Sequence, residues 1–225
     1  MNIALCFCVR NCARYLPAIF ENIERLRALK VNIFCIFVYD NCSDDSEKLL
    51  LQYQALRRNT IVKKITNNSH LRTVRIATAR NVLLNVVYNE LENISFHIMI
   101  DSDDVCSGKW NIEIIDKYLN NFDDDDWDCI SFNKKAYYDI WALLYDDFKQ
   151  HCFGYDKFHD VVRLMGEDVT KKLKECSSNS IEVWSGFNGF AIYKTERFRG
   201  FYYDGLYENF KRLVSDEEIK SSVQA

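Results

Sequence analysis

The chain has 225 residues, 48% hydrophobic and 28% charged, a balance that excludes both a disordered chain and a membrane-embedded one. Lys and Arg number 29 against 33 Asp and Glu, a net charge of −4, so no global basic field draws nucleic acid. That length suits one large domain with a substantial core.

Nine cysteines, at 6, 8, 12, 35, 42, 106, 129, 152 and 176, form an odd set with several members inside apolar runs, where Cys behaves as a small hydrophobe. They predict reduced thiols and a cytoplasmic location. No CxxC pair occurs, and His70, His97, His151 and His159 lack zinc-ligand spacing relative to the cysteines, which argues against structural zinc. "MNIALCFCV" has no basic leader and soon meets Arg10 and Arg14, and no apolar segment reaches the length of a membrane span, so a soluble, unexported protein is expected.

In chain order, apolar strands at 2–9, 31–40, 60–65 and 95–101 alternate with helices through "YLPAIFENIERLRAL", "SEKLLLQYQALRR" and 73–91. Strands buried on both faces and alternating with helices predict an α/β fold: a mostly parallel, Rossmann-like central sheet with flanking helices in a single domain. The second half predicts a helix around "GKWNIEIIDKYLNN", a strand at 127–133, an aromatic-rich segment from Ala136 to Phe158 and a charged helix over 157–175. "IEVWSGFNGFAIYK" (181–194) reads as strand, tight turn, strand.

In such sheets the ligand crevice lies beyond the carboxyl ends of the strands. Those ends read "VRNCAR", "YDNCSDDS", "TNNSHLRTVR" and "DSDDV", a set of Arg, Asn and Asp suited to a phosphorylated ligand with a divalent cation. Asp101, Ser102 and Asp103 form an aspartate–x–aspartate element, in which one carboxylate meets a ribose or metal-bound water and another ligates Mg²⁺ or Mn²⁺. Its plain alternative is a solvated acidic turn. An EF-hand fails at Val105, Cys106 and Ile112. A haloacid-dehalogenase phosphohydrolase motif does match "IMIDSDDV", with Asp101 as nucleophile, but it belongs on a first strand and here three strand–helix units precede it.

Asp40 and Asn41 end the second strand, where the carboxylate can accept from a base or ribose; Ser43 or Asp44 would cap the next helix. Arg72, Arg75 and Arg80 open the third helix and suit a diphosphate, the plain alternative for Arg75 being a solvated helix face; Arg80 with Asn81 is the preferred pair. Asp123–Asp126 and Asp128 read as a solvated loop. Tyr137, Tyr138, Trp141 and Tyr145 have helical spacing and read as core. Trp184 with Ser185, Gly186, Asn188 and Gly189 would frame a pocket for the sugar or acceptor. His151 and His159 are catalytic or third-ligand candidates, though surface or core histidines are commoner.

Taken together, "FCVRNCARYLPAIFENI", "VYDNCSDDS", "TARNVLLNVV" and "IMIDSDDV" resemble four ordered elements of the GT-A class of nucleotide-sugar glycosyltransferases. The chain is similar to glycosyltransferase domains of large algal DNA viruses, and more faintly to fungal capsule mannosyltransferases. The resemblance implies a viral enzyme working in the host cytoplasm, dependent on Mn²⁺ or Mg²⁺, that moves a hexose or deoxyhexose from a UDP- or GDP-sugar, UDP favoured, to a glycan or glycoprotein. It puts base and ribose near Val9, Arg10 and Asp40, the diphosphate near Arg80, and the metal on Asp103 with Asp101 assisting. Residues 1–110 would then be the donor and metal half, and 111–225 the acceptor half of the same domain. Asn41 stands where an acid is frequent, and "WSGFNGF" matches the acceptor side only loosely.

An inverting enzyme needs a carboxylate base, for which Asp139, Asp156, Asp160 and Asp204 are candidates. A retaining outcome is favoured because none of them has a motif around it. A phosphohydrolase or a non-catalytic nucleotide- or sugar-binding module is the alternative.

Overall fold

A computed structural model describes residues 1–120, 127–133, 139, 142–144, 158–176, 180–206 and 208–209, without the side chains of Phe158, His159, Val161 and Val162. Its contacts divide into two compact units, Met1–Ile130 with Gly189–Gly205, and Ser131–Asn188 with Leu206–Ala225.

In the first unit the elements run β1 (Asn2–Val9), α1 (Leu16–Leu26), β2 (Asn32–Asp40), α2 (Ser46–Leu56), β3 (Thr60–Ile65), α3 (Arg72–Asn85), a π-helical turn (Val86–Glu90), β4 (Ile94–Asp101), α4 (Asp104–Ser107), α5 (Ile112–Asn120) and β5 (Cys129–Ser131), with β6 (Phe190–Lys194) and α7 (Thr195–Phe198) after residue 189. The sheet order is β3-β2-β1-β4-β6-β5. β1 pairs in parallel with β2 and β4, and β2 with β3, while β6 runs antiparallel to β4. This is the mostly parallel, helix-flanked sheet predicted.

Burial explains the order. β1 and β2 sit centrally and are almost wholly buried, as strands covered on both faces must be. In α1, Leu16, Ile19, Ile23 and Leu26 recur at helical spacing and are all buried. Phe20 stacks on Tyr53 of α2 at 4.1 Å and meets Phe37 edge-on at 6.0 Å, and Phe37 stacks on Phe7 at 4.7 Å, so one aromatic column joins both helices to the sheet. β3 carries Lys63 and Lys64, paired with Glu90 and Glu47, charges that guard a sheet edge against further pairing.

Two predicted elements differ. The helix expected around 108–121 forms as α5, Ile112–Asn120, and starts later because Gly108 is extended at the end of a separate short helix, α4. The expected strand–turn–strand over 181–194 forms only its second strand, β6, whose two edges are taken by β4 and β5.

In the second unit, Ser185 makes a lone antiparallel bridge to Leu144. α6 (Phe158–Glu175) buries Met165 and Val169 at i, i+4 spacing and displays the Arg163–Glu167 and Lys172–Asp168 pairs. The acidic run Asp123–Asp126, and Tyr137, Tyr138, Trp141, Tyr145, His151 and Asp156, lie outside the described residues, as does the side chain of His159.

Candidate functional site

The order β3-β2-β1-β4 means that the chain leaves β1 in one direction, returns, and places β4 on the other side. Strand order reverses between β1 and β4, the place where open α/β sheets hold their ligands. Cys8 is in register with Asp101. The loop after β1 and the aspartate element therefore meet at that crevice.

Asn11 and Asn41 both adopt left-handed backbone, turning the chain sharply off β1 and β2. Asn11 Oδ1 accepts from the Ser43 amide at 2.8 Å, the Cys12 amide donates to Ser46 Oγ at 2.8 Å, and the Ala13 amide donates to Asp44 Oδ2 at 2.9 Å. Ser43 and Asp44 thus lock two strand-end loops together, and the N-cap of α2 is Asp45 without a side-chain bond. Burial opposes the charge of Asp44, yet bonds from Ser46 and the Ala13 amide hold its carboxyl below the usual range. Asp40 is 7% exposed and accepts from the Asn67 amide at 3.3 Å. Val9 is buried at the end of β1, and Arg10 is exposed beside it.

On β4, Asp101 pairs with Arg80 of α3, Nη2 to Oδ1 at 3.6 Å. The guanidinium also lies 5.1 Å from the centroid of the Tyr203 ring. Burial works against its charge, but its surroundings, Asp101 among them, keep its pKa above the ordinary value. Burial pushes the Cys8 thiol up to about 12, with Arg80 pulling the other way. Asn81, the other member of the preferred pair, donates to the Tyr203 carbonyl at 2.9 Å and accepts its amide at 2.8 Å. Arg72 starts α3 and is exposed; Arg75 donates to the carbonyl of Ser69 at 2.7 Å.

Asp103 is the N-cap of α4, Oδ1 accepting from the Val105 amide at 3.1 Å. Asp104 is exposed, whereas Ser102 is buried with its Oγ unpartnered. The loop is held by groups remote in sequence. Gly189, at φ 87°, turns its carbonyl onto the Asp101 amide at 2.8 Å and the Cys106 thiol at 3.0 Å. Trp110 Nε1 donates to the Cys106 carbonyl at 2.8 Å, and the buried Asn22 of α1 binds the Gly108 carbonyl at 2.8 Å and the Trp110 amide at 3.1 Å. Asn22 and Tyr203 carry no motif in the sequence; Gly189, expected to frame a sugar or acceptor pocket, instead anchors the aspartate loop.

Asp101 and Asp103 offer hard carboxylate oxygens of the kind Mg²⁺ and Mn²⁺ accept. Among the described residues no three His, Cys, Asp or Glu converge as a metal cage. The donor set fits a cation that takes its remaining ligands from diphosphate and water, with Asp103 the better placed because Asp101 already neutralises Arg80.

Asp204 lies exposed between Tyr203 and Gly205 in the first unit. The remaining candidates belong to the second. There Trp184 is 76% exposed and its amide donates to Leu144 at 2.8 Å. Ser185 Oγ donates to the Ala142 carbonyl at 2.9 Å. The buried Asn188 donates to the Phe132 carbonyl at 3.3 Å and accepts the Asp139 amide at 3.3 Å, which is stitching between segments. Gly186 sits between these residues, and Asp160 is exposed on α6.

Among the described residues no helix is long and apolar enough to cross a membrane. No protein-family model and no curated protein matches the sequence. The fold is similar to S. aureus TarS 1–349 in complex with UDP (TM-score 0.53, 15% identity, 99% of this chain and 54% of that one). It is likewise similar to a longer S. aureus TarS structure (TM-score 0.53, 15% identity, 97% and 32%). The chain thus spans about half the length of the first and a third of the second. At that identity the likeness shows the fold, a mostly parallel, helix-flanked sheet of the GT-A type.

Proposed function

We propose that the protein is a nucleotide-sugar glycosyltransferase that moves a hexose or deoxyhexose from a nucleoside diphosphate sugar, a UDP-sugar favoured, to a hydroxyl of a glycan or glycoprotein, with Mn²⁺ or Mg²⁺ as cofactor. The observation that carries this is the convergence of Asp103 and the Arg80–Asp101 pair where the strand order reverses. A similar fold solved with UDP supports it as analogy.

In this reading Asp40 and the Val9–Arg10 turn receive base and ribose, and Arg80 faces the diphosphate. Asp103 holds the cation, which when bound would neutralise charge on the departing nucleoside diphosphate. Asp101 keeps Arg80 in place, and a protonated Arg80 stabilises negative charge without giving up a proton. Outcome at the anomeric carbon is proposed as retaining, with Asp204 or Asp139 the base if it inverts. Residues 1–110 supply most of the donor side.

The test is to incubate the protein with Mn²⁺ and a panel of nucleotide sugars, expecting donor-dependent release of UDP or GDP. Asp103→Ala should abolish metal-dependent UDP binding in titration calorimetry while leaving the melting temperature near wild type. Phosphate release from simple monoesters would favour a phosphohydrolase, and tight binding without turnover a binding module; unchanged UDP affinity in Asp103→Ala would sink the metal assignment.

A further inference from the structure

Phe201, Tyr202 and Tyr203 follow α7 as three aromatics in a row. Phe201 is 67% and Tyr202 54% exposed, while Tyr203 turns inward onto Arg80. A segment that merely sealed the core would bury more of this surface.

This strap over α3 is latched along its length. At one end the Tyr88 hydroxyl donates to the Phe198 carbonyl at 2.8 Å and Arg199 Nη1 to the Tyr88 carbonyl at 2.9 Å. In the middle Asn81 takes both backbone groups of Tyr203. At the other end Thr73 Oγ1 donates to the Gly205 carbonyl at 2.8 Å, and Gly205 lies so close to α3 that a Cβ there would fall 2.5 Å from the Thr73 carbonyl carbon. The Tyr203 phenol lies near that of Tyr193 on β6. The strap's backbone is thus held on both sides of Tyr203, whose ring lies 5.1 Å from the Arg80 guanidinium that pairs with Asp101.

We infer that Tyr203 is a positioning residue: its ring holds the Arg80 guanidinium toward Asp101 and the strand-end crevice, so that the cation meets the donor's diphosphate already oriented. This rests on the glycosyltransferase reading above. The cation–π contact, 5.1 Å from guanidinium to ring centroid, adds orientation to the ion pair at 3.6 Å. A guanidinium placed in advance loses less side-chain entropy on meeting a phosphate.

Titration calorimetry with Mn²⁺ would compare UDP with UMP, or GDP with GMP if the guanine nucleotide binds better, on wild type, Tyr203→Phe, Tyr203→Leu and Asn81→Leu. Tyr203→Leu should weaken the diphosphate roughly tenfold while the monophosphate changes less than about twofold. Tyr203→Phe keeps the ring and should stay near wild type; Asn81→Leu frees the strap and should follow Tyr203→Leu. Equal loss of both nucleotides in a folded variant would mean that the ring is structural, and no loss that Arg80 needs no positioning; either overturns the inference and leaves the glycosyltransferase reading standing. Wild-type protein that binds neither diphosphate would overturn both.

Discussion

Gly205→Ala tests the latch on α3 directly. A Cβ at Gly205 would lie 2.5 Å from the carbonyl carbon and oxygen of Thr73 and 2.6 Å from the Val74 Cα, about 0.9 Å inside ordinary contact at 3.4 Å. All three atoms are helix backbone, which cannot swing aside as a side chain would. The strap must retreat, at an overpacking cost of ~1–3 kcal/mol, and the Thr73–Gly205 hydrogen bond is lost for ~1 kcal/mol more. The sum, about 2–4 kcal/mol, corresponds to a fall in melting temperature of roughly 5–15 °C for a chain of this size. Gly108→Ala is the internal control. Nothing lies within 4 Å of its added Cβ, and its backbone, φ −65° and ψ 165°, suits alanine, so stability should hold or rise by ~0.5 kcal/mol. Scanning calorimetry of both variants decides the matter. Equal melting temperatures for Gly205→Ala and wild type would refute the close packing of the strap on α3.

Two other substitutions probe the same scaffold. His97, buried between Tyr88 and Tyr193, has its pKa lowered by burial to about 3. The unfolded chain takes up a proton below about pH 6.5 and the folded one does not until near 3, so stability is complete above that range and falls as pH drops through it, by about 2 kcal/mol at pH 5. His97→Phe should remove that slope in denaturant unfolding at pH 7 and 5, and the same slope in both proteins would refute the assignment. Asn22→Leu strips partners from the Gly108 carbonyl and the Trp110 amide. It should cost ~2–4 kcal/mol and weaken metal-dependent nucleotide binding by loosening the aspartate loop; a variant as stable as wild type would contradict the role given to Asn22.

Local pattern made much of this protein legible. The apolar runs at 2–9 and 95–101 became β1 and β4 within about a residue, because strands buried on both faces must be continuously apolar, and 60–65 became the edge strand β3. From strand ends alone, Asp40, Asp101 and Asp103 could be placed on one rim. Sequence by itself determined the alternation of strands and helices, and through it the parallel sheet.

Tertiary structure decided which charges meet. Asp101 sits in the aspartate–x–aspartate element, and α3 packs so that Arg80 reaches it; side-chain spacing within one segment carries no signal of a partner on another. Gly189 looked like a hairpin glycine, and only the antiparallel pairing of β6 with β4 turns its carbonyl onto Asp101. Tyr203 carried no motif at all; its place follows from the close approach of Gly205 to Thr73. Periodicity records which face of an element is buried, whereas an ion pair between distant segments depends on how those elements stack, which no single stretch of chain encodes.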